Sequence, residues 1–381
     1  MKDSPKKIPF GRPVFSGGEL AEIKKVLDSG LLTHGQQVQK FEKVFADFIG
    51  VRFAVAVSSC TAGLHLSLMA LGIKPGDEVI VPAMTHTATA HVVEFCQAKP
   101  VFADVCSKTG NIDIKEIERK LTARTRAIEV VHFLGLPCPM DEISLLAKNI
   151  PIVEDCALAL GASYNGRKVG SLGISGSFSF YPIKHITTSE GGMLTTNDER
   201  LAMLASKQRA FGIDKSIEER TISGIYDVKY LGNNYRMSEI QAALGLVQMS
   251  DFNDLNERRR SNYLKLSSLL GDMPEIEILQ RSDASSSDAH YCLNVIIKEN
   301  GSLSRDEMVF KLNALGVGTS VYYGRPVPLM NYYAEKYGYK SGDFPNAEFI
   351  SNNSIALPVG PHLNEKDMEY IAGCIKRFAR G

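Results

Sequence analysis

Short apolar runs alternate with longer amphipathic stretches along the first half of the chain. The apolar runs lie at 54–57, 78–81, 100–104, 127–132 and 152–155, and helical patterns separate them at 62–71, 86–96, 114–121 and 141–148. Strands that alternate with helices over this length favour a parallel sheet covered on both faces. The pattern therefore predicts an α/β fold with a large, mainly parallel sheet.

The pattern changes in the last third of the chain. Residues 238–270 read as one long helix, and the later elements are a strand at 290–297, a helix at 305–315, a strand at 317–323 and a final helix at 365–378. This mixture predicts a smaller C-terminal α+β domain, and 381 residues are enough for two domains. We predict a large domain over 1–250 and a small domain over 251–381.

Composition narrows the class of protein. The 43 basic residues equal the 43 acidic ones, so we expect neither nucleic acid nor a membrane as a partner. The seven cysteines are odd in number and form no Cys-x-x-Cys pair, which argues against a zinc site or a disulfide framework and for a reducing compartment. The chain start has no apolar signal segment, and we expect a cytoplasmic protein without a metal.

One lysine stands at an abrupt turn between two strand patterns. Residues 177–180 read as a strand, Pro182 begins the turn, Lys184 follows, and a glycine pair precedes a strand at 193–196. Desolvation at such a junction could lower the pKa of Lys184 and make its amine a nucleophile. The alternative is a solvated surface lysine.

Two further segments carry candidate chemistry at the ends of strands. The hydroxyl-rich segment 58–63 opens a helix and could bind an anion, or its serine could act only as a helix cap. Asp155 ends an apolar strand, where a buried carboxylate needs a cation or strong donors; a structural cap or salt bridge is the alternative. Both segments belong at the sheet edge where α/β folds bind ligands.

An amine nucleophile, a buried carboxylate and an anion site together suit pyridoxal phosphate. This cofactor needs a lysine for its aldehyde, an acid for its pyridine nitrogen and a binding site for its phosphate. The sequence therefore indicates that Lys184, Asp155 and segment 58–63 serve one cofactor.

Several ordered motifs carry a resemblance to a known family. They lie at 29–35, 41–42, 71–82, 154–155, 177–193 and 232–243, and with them the chain resembles the DegT/DnrJ/EryC1/StrS sugar aminotransferases over almost its whole length. The resemblance implies the fold of type I pyridoxal-phosphate transferases, with a seven-stranded sheet domain and a smaller C-terminal domain. It implies pyridoxal 5'-phosphate as cofactor.

The resemblance also assigns roles to single residues. It implies that Lys184 holds the cofactor as a Schiff base and later moves protons, and that Asp155 pairs with the pyridinium nitrogen. The backbone groups of Thr61 and Ala62, with the hydroxyl of Ser179, would bind the phosphate.

Asn234 lies in the motif Gly-x-Asn-Tyr-Arg-Met. In the family this asparagine reaches the phosphate of the neighbouring subunit, which implies an obligate homodimer with shared active sites. The alternative is that Asn234 is a loop residue that caps the following helix.

Two positions depart from the family pattern. His86 stands where relatives carry an aromatic residue that stacks on the cofactor; an imidazole can stack and can also donate a hydrogen bond, or His86 could stay unengaged. Leu158 stands where many relatives carry Gln, Glu or His near the cofactor's phenolic oxygen. Leucine can only pack there.

The resemblance favours transfer of the amino group of L-glutamate to a keto or aldehyde sugar. Related sugar 3-dehydratases carry histidine at the position of Lys184, so the lysine favours transamination over dehydration. A cofactor-binding regulator without turnover is the alternative from another class.

Three segments resemble one branch of the family more than the others. They are 85–91, 156–161 and 181–185, and the branch converts 8-oxo-3-deoxy-manno-octulosonate to 8-amino-3,8-dideoxy-manno-octulosonate for lipopolysaccharide. Nucleotide-linked 4-keto or 3-keto-6-deoxy sugars are the alternative substrates. An acid sugar should need a cation for its carboxylate, and Arg12, Arg209 and Lys215 are candidates.

Overall fold

The computed structural model describes residues 7–215, 221–222, 224–279, 285–298 and 303–379. The helices are α1 (Glu19–Ser29), α2 (Gln36–Ile49), α3 (Cys60–Ala70), α4 (Thr87–Phe95), α5 (Ile114–Lys120), α6 (Met140–Ala147), α7 (Glu199–Gln208), α8 (Glu239–Ser250), α9 (Phe252–Leu270), α10 (Arg305–Ala314), α11 (Asn331–Tyr337), α12 (Pro345–Asn353) and α13 (Glu365–Ala379). Within these ranges, no helix is both long and apolar enough to cross a membrane.

Among the described residues, three sheets accompany these helices. The strands are β1 (Phe53–Val57), β2 (Glu78–Pro82), β3 (Lys99–Ala103), β4 (Thr125–Val131), β5 (Ile152–Asp155), β6 (Ser163–Tyr164), β7 (Arg167–Lys168), β8 (Ser175–Ser179), β9 (Gly192–Thr196), β10 (Ile276–Ile278), β11 (Ser286–Ser287), β12 (Leu293–Ile297) and β13 (Ser354–Leu357).

The main sheet has seven strands in the order β1-β9-β8-β5-β4-β2-β3. The strands β8, β5, β4, β2 and β3 run parallel, and β9 is antiparallel to both of its neighbours. The predicted large, mainly parallel sheet is therefore confirmed. Its strands read as continuous apolar runs because helices cover both faces: Val79 and Val81 pack in one core, while Ile80 between them packs in another.

A second packing unit follows in the last third of the chain. The strands β10, β12 and β13 form an antiparallel sheet, and α9, α10 and α13 pack with it around residues such as Leu266, Leu293 and Ile371. Ile8 also packs in this core and pairs with Val317. The smaller α+β unit agrees with the sequence, and the division at residue 250 stays a prediction.

Two sequence predictions in this region are wrong. The single helix over 238–270 is instead α8 and α9, which meet at Asp251. The break turns Phe252 into the core, where its ring lies 5.0 Å from that of Phe48. Residues 317–323 form no continuous strand, because Val317 and Ser320 pair with two different segments.

The strand predicted over 290–297 begins only at Leu293. His290 has a φ of +55°, which interrupts the extended backbone.

A buried carboxylate fixes the turn that leads into β8. Glu154 accepts hydrogen bonds from three backbone N–H groups between Gly170 and Gly173, and its Oε2 lies 2.9 Å from Nε2 of His132. Nδ1 of His132 accepts from a backbone N–H, so Nε2 carries the proton that is donated to Glu154. This network holds β5 against the start of β8, the strand that ends at Ser179 and leads to Lys184.

Candidate active site

Lys184 lies in the turn that follows β8, at the carboxyl end of the parallel strands. Its backbone N–H donates to the Tyr181 carbonyl, and its Nζ lies 5.4 Å from the centre of the Tyr291 ring. Burial lowers the pKa of the Lys184 amine from its ordinary value to about 8. The structure therefore supports the expected desolvation and contradicts the solvated surface lysine.

Asp155 ends β5 and is 4% exposed. Its Oδ2 accepts a hydrogen bond of 2.9 Å from the Thr89 hydroxyl, and its Oδ1 accepts one of 3.0 Å from the Ala157 N–H. Within the part of the chain that the structure describes, no cation forms an ion pair with this carboxylate. A buried charge held only by neutral donors suits a cationic ligand group such as a pyridinium.

Two threonines that support Asp155 were not predicted from the sequence. Thr85 and Thr89 lie one helical turn apart, and their hydroxyl oxygens are 2.7 Å from each other. Both side chains are buried. The i, i+4 spacing of two threonines at the start of a helix is the signal that could have found them.

The N-terminus of α3 lies beside Asp155. Ser59 is its N-cap, and the Ser59 Oγ accepts a hydrogen bond of 3.1 Å from the Ala62 N–H. The cap interpretation is therefore confirmed, and it occupies the Ala62 N–H. The first N–H groups of an α-helix have no acceptor within the helix, which leaves those of Cys60 and Thr61 for an anion.

Two glycines allow the elements around this site to approach each other closely. A Cβ at Gly192 would lie 2.4 Å from the Ser59 carbonyl carbon, and a Cβ at Gly63 would lie 2.2 Å from the Ser177 Oγ. Gly192 pairs with Ser179 across β8 and β9, which places Ser179 near the start of α3. A small, backbone-lined cradle of this kind fits a phosphate.

His86 is the N-cap of α4, with a φ of −71° and a ψ of 145°. Its Nδ1 accepts a hydrogen bond of 3.2 Å from the Ala88 N–H, and its ring meets that of Tyr323 edge to face at 6.2 Å. Desolvation lowers the pKa of His86, although the residue as a whole is exposed. The cofactor-stacking role of His86 stays a prediction.

Asn234 is exposed and bridges to Ala210 through the backbone. The cap of α8 is Ser238, which forms a reciprocal capping box with Gln241. The alternative role of Asn234 as a helix cap is therefore wrong. Its side chain makes no hydrogen bond with any other described residue.

Three tyrosines that sequence reasoning missed form a wall near Lys184. The hydroxyl groups of Tyr291 and Tyr322 are 3.0 Å apart, and the rings of Tyr322 and Tyr323 are in edge-to-face contact at 5.5 Å. They come from segments more than one hundred residues beyond Lys184, so no local pattern could have shown the contact. Leu158 is buried in the neighbouring core, as expected for a side chain that can only pack.

Two of the three candidate cations line one cavity. Arg209 and Lys215 lie around a space of about 510 Å³ together with Lys207 and Arg236, whereas Arg12 is exposed elsewhere. One acidic residue, Glu239, reaches the lining, and its carboxylate accepts hydrogen bonds from two backbone N–H groups. The cavity is therefore basic, and the Ala210–Asn234 bridge places it beside Asn234.

A larger cavity of about 880 Å³ lies at the opposite ends of β2 and β3. Its charged side chains are mostly paired, as in Glu78 with Arg124 and Glu94 with Lys336. It contains none of the candidate catalytic residues.

The residues around Lys184 fit pyridoxal phosphate. An amine with a lowered pKa, a buried carboxylate without a cation and a backbone cradle closed by glycines lie together at one sheet edge. These are the three groups that the cofactor requires.

Comparisons with known proteins agree with this geometry. The model of the DegT/DnrJ/EryC1/StrS aminotransferase family matches residues 15–376. The spore coat polysaccharide biosynthesis protein SpsC of Bacillus subtilis is 38% identical over 381 residues, which cover 98% of this chain and 97% of SpsC.

The fold of this chain is also similar to those of solved aminotransferase structures. Spr1654 of Streptococcus pneumoniae, described as a sugar aminotransferase and solved in its PMP form, superposes with a TM-score of 0.93 at 28% identity, covering 98% of this chain and 99% of that one. It was also solved in a PLP form. PseC of Helicobacter pylori, an aminotransferase of pseudoaminic acid biosynthesis, has a TM-score of 0.91 at 26% identity, covering 98% and 100%.

Proposed function

The chain belongs to the DegT/DnrJ/EryC1/StrS aminotransferase family, and on that premise we propose that it transfers the amino group of L-glutamate to the aldehyde of 8-oxo-3-deoxy-manno-octulosonate. It is a pyridoxal-phosphate-dependent sugar aminotransferase. The observation that carries the proposal is that Lys184, with its pKa of about 8, and the buried Asp155 lie at the same edge of the sheet.

The roles of the residues follow from their surroundings. Bound pyridoxal phosphate supplies an electrophilic carbon and an electron sink. Asp155, fixed by Thr89 and the Ala157 N–H, holds the pyridine nitrogen in its protonated form. The neutral amine of Lys184 would hold the cofactor through its aldehyde, and the same amine would take and return the proton at the substrate carbon.

The phosphate is held between two elements. The backbone N–H groups at Thr61 and the start of α3 face the phosphate, and Ser179 adds its hydroxyl. The Ala62 N–H contributes only where the Ser59 cap releases it. The exposed His86 would stack its ring on the cofactor ring.

We propose a homodimer in which Asn234 of each subunit reaches the phosphate at the other active site. The support is that Asn234 is exposed and has no hydrogen bond to another described residue. Exposed apolar side chains also surround it, among them Phe211, Val228 and Leu231. Such a patch is typical of an interface.

The basic cavity beside Asn234 supports an anionic sugar as the acceptor. Arg209, whose guanidinium also forms an ion pair with Glu42, and Lys215 would attract the carboxylate of an octulosonate. The diphosphate of a nucleotide-linked keto sugar is the alternative anion. The proposed pathway is lipopolysaccharide synthesis in the cytoplasm. Seven free cysteines support a reducing compartment.

The experiment separates the two half-reactions. The holoenzyme is mixed with L-glutamate, and the absorbance change to the pyridoxamine form is followed; 8-oxo-3-deoxy-manno-octulosonate and dTDP-, UDP- and GDP-linked keto sugars are then offered one at a time. Recovery of the original spectrum with the octulosonate supports the proposal. Recovery with a nucleotide sugar alone would assign the alternative substrate. If L-glutamate caused no absorbance change, it would not be the amino donor.

A further inference from the structure

The His86 ring has one engaged nitrogen and one unengaged nitrogen. Nδ1 accepts from the Ala88 N–H, so in the neutral ring the proton lies on Nε2. The extended backbone at the N-cap position and the edge contact with Tyr323 fix the ring further. Within the described chain, Nε2 has no hydrogen-bond partner.

The charged and titratable neighbours of His86 favour the neutral ring on balance. Desolvation by burial is the largest effect and lowers the pKa of His86; the charges of Lys184 and His91 act in the same direction, and that of Asp155 opposes them. Protonation at Nδ1 would also break the cap on α4.

Most other donors around Lys184 are already engaged. His185 Nε2 lies 2.9 Å from the Ala289 carbonyl, Tyr291 bonds to Tyr322, and the Cys60 thiol donates to the Ser177 carbonyl. The Tyr323 hydroxyl, like His86 Nε2, has no acceptor among the described residues. Two adjacent side chains therefore keep a neutral donor each.

We propose that His86, as the Nε2–H tautomer, and Tyr323 form a donor pair that binds the α-carboxylate of the amino donor. This inference rests on the proposed function, because it takes glutamate as that donor. Glutamate and 2-oxoglutarate carry a carboxylate directly on the reacting carbon, and that carbon must lie at Lys184. The aldehyde carbon of the sugar carries no carboxylate. A donor pair on the Lys184 side of the site would therefore discriminate the amino donor from the sugar.

The first test needs no turnover. ¹⁵N NMR of the unloaded protein at pH 7.5, with His86→Asn used to assign the signals, should show an unprotonated Nδ1 and a protonated Nε2. An Nδ1–H tautomer or a charged ring would overturn the proposal. This result does not depend on whether glutamate is the donor.

The second test measures binding with matched probes. Lys184→Ala protein loaded with pyridoxamine phosphate is titrated with 2-oxoglutarate and with succinic semialdehyde, which is the same molecule without the α-carboxylate. We expect His86→Phe, which keeps a flat ring, to lose roughly tenfold or more in affinity for 2-oxoglutarate and little for succinic semialdehyde. His86→Asn, which keeps the cap, should behave in the same way.

Tyr323→Phe should reproduce that selective loss. The double variant His86→Phe/Tyr323→Phe should lose less than the product of the two single losses, because the donors share one acceptor. Unchanged discrimination between the two probes in both single variants would refute the donor pair. If the wild-type holoenzyme does not react with glutamate at all, the proposed function is at fault instead.

Discussion

The Thr89 hydroxyl donates a hydrogen bond of 2.9 Å to Oδ2 of Asp155, and this bond joins the first turn of α4 to the carboxyl end of β5. His86 begins the same helix, so one contact fixes both the carboxylate and the ring beside it. The bond is buried, and loss of the donor would leave the carboxylate oxygen without a partner.

Replacement of Thr89 by valine tests this contact. Thr89→Val keeps the shape of the side chain but removes the donor to a buried charge. We therefore expect the free energy of unfolding to fall by about 1–3 kcal/mol. Cofactor affinity should fall as well. Urea unfolding and cofactor titration measure the two effects, and Thr89→Ser, which keeps the hydroxyl, should retain most of both.

The reactivity of Lys184 should depend on pH in a defined direction. With a pKa of about 8, about a quarter of the amines are neutral at pH 7.5, against roughly one in a thousand for an ordinary lysine. The rate of covalent attachment of pyridoxal phosphate to the unloaded protein should therefore rise with pH, reach half of its maximum near pH 8 and level off above about pH 9. Stopped-flow absorbance measures it, and a rise that continues to pH 10 would show an unshifted amine.

Gly63 and Gly373 form a matched pair of glycines within helices. A Cβ at Gly63 would lie 2.2 Å from the Ser177 Oγ, whereas a Cβ at Gly373 meets nothing within 4 Å. We expect Gly63→Ala to destabilise the protein by about 1–3 kcal/mol and Gly373→Ala to stabilise it by about 0.5–1 kcal/mol. Chemical unfolding compares them, and the added change Ser177→Ala should relieve part of the loss at Gly63.

Shared active sites predict complementation between two inactive variants. A subunit with Lys184→Ala lacks the amine, and a subunit with Asn234→Ala lacks the phosphate contact that it gives to its neighbour. Unfolding and refolding an equal mixture should restore about a quarter of the wild-type sites, because half the dimers are mixed and each has one intact site. Activity no higher than the sum of the separate variants would show that each subunit is self-sufficient.

Much of the fold could be predicted from local patterns. Buried parallel strands such as β2 consist of unbroken apolar runs, and these predicted the main sheet. The break at Asp251 could not be predicted, because it depends on where Phe252 finds room in the core. The irregular segment 317–323 contains strand-forming residues. It is not a continuous strand because Val317 and Ser320 pair with different parts of the chain, which local sequence cannot show.

The active site, like the fold, could be predicted only in part from the sequence. Asp155 ends one strand pattern and Lys184 stands in the turn after another, so their place at the sheet edge could be predicted from the sequence. Tyr291 and Tyr323 reach the same place through contacts far along the chain, and nothing near them in the sequence indicates it. The cap at Ser59 could be predicted from the hydroxyl-rich start of the helix, and the structure adds that this cap occupies the Ala62 N–H.

The most direct measurement is to identify the residue that carries the cofactor. The holoenzyme is reduced with borohydride, digested and analysed by mass spectrometry. The mass of the reduced cofactor should be found on Lys184 alone, and it should be absent when L-glutamate has first converted the enzyme to its pyridoxamine form. Labelling of a different lysine, or none in an active preparation, would contradict the assignment of Lys184 as the catalytic amine.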